Sequence, residues 1–439
     1  MISAFRNIFK IPDLRKRILF SASLLIVYRL GCHIPTPGID AVALSLFFQR
    51  MQSTLFGLAD MFSGGALRRA SIFALGIMPY ITASIIIQLL TAVVPFLEKL
   101  AKEGEAGRKK ITQYTRYGTV AISIIQALII SRGLEALQGE GGRMVVANPG
   151  WSFRLMAIIT LTAGTVFIMW LGEQITERGI GNGISLIITV NIISRIPRAI
   201  LQAIRMLHDG MLRPEVAFIL LVLTVLMTAA VVILTQAQRR IPIQHARRIV
   251  GRKVYSQQAT YIPLRLNQAG MIPIIFAVSI LQFPLFLRQS PNEFLSAMAD
   301  FLSKTIVYNT FYVILILFFC YFYTAITFHP PELADNMKKY GSFIPGIRPG
   351  KPTANYFYHV MNRITLVGAL GLAFIAIMPT IISIRLGLGP GSLLTSFAGG
   401  AGLIIIVGVI LDTVKQIESH LLMRHYDGFM KKGRIRARR

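Results

Sequence analysis

AQRRIPIQHARRIVGRKVYSQQATYIPLRLNQ, residues Ala237 to Gln268, carries seven basic side chains and no acidic one. They are Arg239, Arg240, Arg247, Arg248, Arg252, Lys253 and Arg265. The stretch lies between two apolar runs, Val216–Thr235 and Met271–Leu287, each about as long as a bilayer-spanning helix. Lys and Arg in loops between spans are retained on the cytoplasmic side, so this one segment assigns sidedness. It is also far larger than a connector needs to be. That points to a cytosolic docking surface on a membrane protein.

The rest of the chain agrees. Its 439 residues are 54% hydrophobic and only 15% charged, with a mean hydropathy of +0.60, whereas a soluble domain carries about a quarter charged residues. The hydropathy predicts an all-α polytopic membrane protein with ten spans, at 18–34, 72–95, 117–132, 154–171, 183–204, 216–236, 270–288, 306–328, 364–384 and 393–412. Three of these are weakly apolar. The second contains Pro79, the fifth contains Asn191, Arg195 and Pro197, and the tenth opens on a glycine cluster. The first apolar run follows Arg6, Lys10, Arg15, Lys16 and Arg17 and has no small-x-small cleavage site before Pro35, so it reads as a retained span.

With a cytosolic N-terminus, the segments placed inside hold 32 of the 46 Lys and Arg, and those on or bordering the outside hold 12. This asymmetry puts both termini in the cytosol. Ten spans divide into five and five, and an odd number per half gives the halves opposite orientation. The pattern is compatible with two inverted five-helix halves around a central path. The expected division is 1–204, 205–412 and a basic cytosolic tail at 413–439.

Several functions are disfavoured. Mid-span positions are nearly free of acidic residues, whereas ion-coupled carriers keep ionisable groups there. Arg195 falls near the outer end of the fifth span, where it is expected to snorkel. Gly104–Lys110 (GEAGRKK) lacks the phosphate-loop spacing, and Gly179–Gly183 (GIGNG) follows no strand. Cys32 and Cys320 give neither metal spacing nor a disulfide framework. The histidines form no ligand pair and no Ser/His/Asp set emerges, so no enzyme and no cofactor are expected. A net charge of +27 leaves nucleic acid, anionic lipid or an acidic partner open.

Two segments stand out beside the loops. In Gly76–Leu90 (GIMPYITASIIIQLL), Ile77, Ile81 and Ile85 share one helix face. Spacing alone fits either a packing stripe or a pore lining. Before it, Met61–Ser71 (MFSGGALRRAS) is either an extracytoplasmic turn or a half-helix that folds back, with paired glycines allowing the bend.

These segments also carry a resemblance. The chain resembles the SecY family of protein-translocation channel subunits over essentially its full length. The match rests on Phe62–Ala66 (FSGGA) running into Ser71–Leu90, Gly104–Gly118 (GEAGRKKITQYTRYG), Met169–Ser185 (MWLGEQITERGIGNGIS), Asn267–Pro273 (NQAGMIP), Phe343–Gly350 (FIPGIRPG) and Leu366–Leu370 (LVGAL).

The resemblance implies an hourglass channel in the bacterial inner membrane. Such a channel moves unfolded polypeptides across and releases hydrophobic helices sideways into lipid. It implies a pore ring of Ile77, Ile81, Ile85, Ile188, Ile275 and Ile405, with Ile404 and Ile406 as alternatives to the last. An apolar collar gates by dewetting and offers no fixed charge to grip a passing chain. The resemblance further implies a plug at about 57–67, including Met61, Phe62, Ser63, Gly64 and Gly65. A lateral gate is implied between the second and third spans and the seventh and eighth, with Gln88 and Asn267 as candidate polar partners. Asn267 as a simple cap of the seventh span is the alternative. The docking surfaces would be Arg239, Arg240, Arg247, Arg248, Arg252 and Lys253 on one cytosolic loop and Arg348 on the next. Implied partners are the small membrane subunits SecE and SecG, the motor ATPase SecA, the ribosome, signal peptides and nascent chains, and anionic lipid. Two other readings compete. A small-solute transporter would need buried ionisable residues. A poreless membrane anchor leaves the isoleucine stripe unexplained.

Overall fold

The computed structural model describes residues 11–40, 44, 60, 62–136, 144–245, 249–250, 253–254, 260–282, 293–385 and 400–432. Helices form wherever the sequence predicts a span. In order they are α1 (Pro12–Gly31), α2 (Met78–Val93), α3 (Pro95–Lys102), α4 (Glu105–Ala136), α5 (Trp151–Arg178), α6 (Gly183–Ile193), α7 (Ile196–His208), α8 (Pro214–Gln236), α9 (Ile272–Leu281), α10 (Glu293–Ser303), α11 (Thr305–Thr327), α12 (Pro330–Lys339), α13 (Lys351–Arg385) and α14 (Gly400–Lys432). Seven helical stretches are long and apolar enough to cross a membrane, or eight with the bent pair α2–α3. The shorter apolar α9 and α1, with Asp13, Arg15, Lys16 and Arg17 near its start, complete the ten.

The ends of the spans differ from the hydropathy boundaries for identifiable reasons. Residues 71–77 turn rather than coil, so the second helix begins at Met78. It ends at Val94, which Pro95 pushes into an extended conformation (φ −92°, ψ 114°). The chain then bends by 98° into α3. The fifth span breaks between Ile193 and Ile196, just ahead of Pro197. By contrast, α4, α13 and α14 run well past the predicted edges. Their added turns carry charge, such as Arg108, Lys109 and Lys110 on α4.

The largest departure from an all-α expectation is the stretch 237–268. Its described residues form an antiparallel pair of β1 (Gln238–His245) and β4 (Thr260–Arg265), in register from Gln238↔Arg265 to Ile243↔Thr260. Inside it, β2 (Ile249–Val250) pairs with β3 (Lys253–Val254). β1 also pairs with β5 (Ser342–Phe343) through Gln244 and His245. The sheet order is β4-β1-β5. Pro242 donates no ladder hydrogen bond, and it lies where β1 has β4 as its partner but is not paired with β5. Alternation places Ile241, Ile243 and Leu264 on one face. They bury against Met337, Ile344, Phe357, Val360, Met361 and Ile364. The two basic loops therefore share one small core seated on the start of α13.

Within the helical body, α2 packs on α4 and α9, α6 on α14, and α11 on α9 and α13. Gly164 sets a further contact, made by α5. A Cβ there would fall 2.0 Å from the Ile72 carbonyl oxygen, so only glycine lets α5 seat against the turn that leads into α2.

Candidate functional site

The six isoleucines singled out above are all buried in the helical body. Ile77 caps α2, Ile81 and Ile85 follow on it, Ile188 lies on α6, Ile275 on α9 and Ile405 on α14. All are at most 6% exposed and belong to one contiguous buried cluster. The stripe at i, i+4 and i+8 is the inward face of α2, since Ile86 and Leu90 on its other side are exposed. At the tenth helix, Ile404 is buried like Ile405, and Ile406 is partly buried against the same cluster. Four helices thus contribute flexible aliphatic side chains to one region. Aliphatic side chains of this kind exclude water and offer no hydrogen bonds to a neighbouring group.

The segment expected to close it sits against it. Phe62 is buried in the same cluster as the isoleucines. Ser63 is buried too, and Gly64 and Gly65 hold φ values of +66° and +86°, which side-chain-bearing residues rarely adopt. Met61 lies outside the described residues, as do 57–59. Asp60 ties the segment into a closed turn: its carbonyl accepts from Gly65 N at 3.1 Å and its carboxylate accepts from Arg68 N at 3.1 Å. Arg195 does not snorkel. Its guanidinium turns inward and pairs with Asp60 at 2.5 Å, leaving side chains 19% and 5% exposed. A carboxylate within reach of a partly buried arginine outweighs the pull of the interface. Sequence reading missed this partner, along with the roles of Tyr28, Arg29 and Asn191. The available signal was the pair of polar residues at 191 and 195, one turn apart in an otherwise apolar span.

The two gate candidates are placed on neighbouring elements, each with a local hydrogen bond. Gln88 Nε2 donates to Ser84 Oγ at 3.4 Å, one turn back on α2. The buried Asn267 donates from Nδ2 to the Gly270 carbonyl at 2.9 Å, which tightens the turn ahead of α9. Where α2 meets α9, Ser279 Oγ lies 4.0 Å from Met78 Sδ.

Of the basic candidates, Arg239 and Arg240 are exposed on β1, and the Arg240 guanidinium sits 4.8 Å from the centre of the Tyr261 ring. Lys253 lies in β3, paired with Val250. Arg247, Arg248 and Arg252 lie outside the described residues, as does the tail beyond 432. Arg348 is exposed at the tip of a turn between Pro345 and Pro349, with Gly346 and Gly350 at φ +82° and +98°. Its carbonyl accepts from Thr353 Oγ1 at 2.8 Å, which anchors the turn on α13. Because β1 pairs with β5, this turn and the exposed arginines of β1 belong to one packed platform.

Comparisons with known proteins agree along the whole chain. The SecY family model matches residues 71–414. The chain is 46% identical over 445 residues to the protein translocase subunit SecY of Thermus thermophilus, covering 100% of both. It is 47% identical to that of Streptomyces scabiei, covering 98% of this chain and 100% of the relative. For the Escherichia coli K12 protein the identity is 45%, over 97% of this chain and 96% of the relative. Among solved structures, one described as a protein conducting channel superposes with a TM-score of 0.64 at 17% identity, covering 92% of this chain and 91% of that one. Sec61 from a canine ribosome-channel complex gives 0.63 at 16% identity, over 92% and 91%. At these identities the structural likeness establishes a shared fold, a ten-helix polytopic membrane architecture.

Proposed function

The chain belongs to the SecY family of protein translocase subunits, and from that premise we propose that it forms a channel for unfolded polypeptides with Ile77, Ile81, Ile85, Ile188, Ile275 and Ile405 as its seal. The observation that carries this reading is that all six are buried in one contiguous apolar cluster, which they enter from four separate helices, with Phe62 of the preceding segment in the same cluster. A seal must pass polar and apolar side chains alike while leaking few ions, and aliphatic groups without fixed charge do this by dewetting. Met61, Phe62, Ser63, Gly64 and Gly65 belong to the plug that closes the resting path.

The two halves, 1–204 and 205–412, are inverted relative to one another and part between α2 and α9. There Gln88 and Asn267 line a lateral gate through which hydrophobic helices enter the bilayer. Interhelical polar contacts in membranes average about 0.6 kcal/mol, and in this state Gln88 and Asn267 hydrogen-bond within their own elements, so such a seam yields readily to an incoming signal helix. The protein resides in the bacterial inner membrane with both termini and the β-sheet platform in the cytosol. Arg239, Arg240, Arg247, Arg248, Arg252, Lys253 and Arg348 dock the ribosome during synthesis or the motor ATPase SecA afterwards. SecE and SecG complete the complex, and anionic lipid covers the remaining basic surface.

Mild detergent extraction followed by affinity purification tests this assembly. The expected outcome is co-purification of two small membrane subunits, with ribosomes retained at low salt and released as salt rises, because phosphate contacts weaken with ionic strength. Recovery of the chain alone under all these conditions contradicts the proposed complex.

A further inference from the structure

Asn191 and Arg195 stand in an apolar span without a part in the seal or the docking platform. Asn191 lies three residues beyond Ile188 on α6, one turn from the isoleucine cluster, and is fully buried. Both protons of its amide nitrogen are used: Nδ2 donates to the Phe62 carbonyl at 2.7 Å and to the Tyr28 hydroxyl at 2.7 Å. Its Oδ1 is buried and lies against Gly64, where a Cβ would come within 2.4 Å of it and within 2.6 Å of Arg29 Nη1. Arg29 in turn donates from Nη1 to the Gly64 carbonyl at 3.2 Å. One further turn along, Arg195 pairs with Asp60. Side chains from the first and fifth spans thus grip residues 60, 62 and 64 of a single segment.

We propose that Asn191 and Arg195, assisted by Tyr28 and Arg29, form a polar latch that holds the plug in its closed position, and that opening the path requires breaking it. The proposal rests on the plug reading given above and adds what holds the plug. Its physical basis is the mismatch between grip and surroundings. In water these groups would exchange partners freely. Beside an apolar cluster a donor that loses its partner stays unpaired, so the closed arrangement is favoured as a set. Charge sharpens the effect. Asp60 lies within electrostatic reach of Arg69 and Arg195, and Arg29, Arg68 and Arg198 crowd the same region. When the segment withdraws its carboxylate, these cations face one another, so partial release is disfavoured and the latch behaves as two-state. The fit at Gly64 adds a steric register, since at φ +66° and that spacing a larger residue cannot sit under Asn191.

The test measures ion conductance of the resting channel, reconstituted with its co-purifying subunits in planar bilayers. Four variants are compared with the natural chain: Asn191→Leu, Arg195→Asp, the exchange Asp60→Arg with Arg195→Asp, and a deletion of residues 60–67. Each single variant is expected to raise the open fraction by about tenfold or more, a factor of ten corresponding to roughly 1.4 kcal/mol. The exchange rebuilds the ion pair in reverse and is expected to bring the open fraction back toward the natural level, which also shows that the variants fold. Tight single variants beside a leaky deletion would overturn the latch and leave the plug. A tight deletion would overturn the plug reading and the latch with it. An exchange as leaky as Arg195→Asp alone would overturn the pairing.

Discussion

Replacing both Ile81 and Ile188 with glycine raises the ion conductance of the resting channel by an order of magnitude or more. The two side chains come from α2 and α6 and lie in the same buried cluster, each at most 4% exposed. Deleting them removes apolar bulk contributed by two helices of the proposed seal at once, so neighbours on one helix cannot refill the space alone. Water that an aliphatic collar excludes then enters, and hydrated ions follow. The substitutions also cost stability, since Ile→Ala in a core costs about 2–5 kcal/mol and glycine within a helix roughly another 1 kcal/mol each. The paired variants Ile81→Ala and Ile188→Ala, milder in both respects, are therefore recorded alongside and should leak in the same direction. Single-channel recording in planar bilayers reads the effect. Unchanged conductance in folded channels removes these residues from the seal.

Charge reversal at Arg348 abolishes ATPase-driven export while leaving the channel correctly inserted. The side chain is exposed, and the hydrogen bond that anchors the turn uses the Arg348 carbonyl rather than its guanidinium. Arg348→Glu should therefore leave the fold alone, since surface changes of this kind usually stay within about 0.5 kcal/mol. The prolines and glycines around it present one charge at a fixed place, and an acidic partner surface would meet a like charge instead of an opposite one. Export of a pre-protein into inverted membrane vesicles measures the loss. Arg239→Glu and Arg240→Glu on the same platform should weaken docking in a salt-dependent way. Normal export by Arg348→Glu vesicles rules out this role.

The sequence revealed some layers of this structure far better than others. Span positions follow from bulk hydrophobicity, which depends on no tertiary partner, and each predicted span contains a helix. Their ends depend on single residues: Pro95 bends the chain after Val94, and the break ahead of Pro197 splits the fifth span. The stretch 237–268 was legible by charge and so was read as a loop. Its strand signal was present in the inward alternation of Ile241 and Ile243, but the prolines at 242 and 263 mask it, and β5 lies about a hundred residues away in the chain. The isoleucine stripe could be seen on α2, yet its grouping with Ile188, Ile275 and Ile405 is what the resemblance implies, because periodicity within one helix says nothing about its neighbours. Arg195 shows the same limit. An arginine in an apolar span signals that something pairs with it, but Asp60, 135 residues away, is found only in three dimensions.

The central claim is that a polypeptide passes through the ring of isoleucines. It is tested most directly by placing a photoreactive side chain at one position at a time and halting a pre-protein partway across. Crosslinks to the halted chain are expected from positions 81, 188, 275 and 405, and only background from Ile159 and Ile306, which are 68% and 82% exposed on the protein's surface. Crosslinks from 159 or 306 equal to those from the four inner positions, or none from the inner four, would contradict a path through this seal.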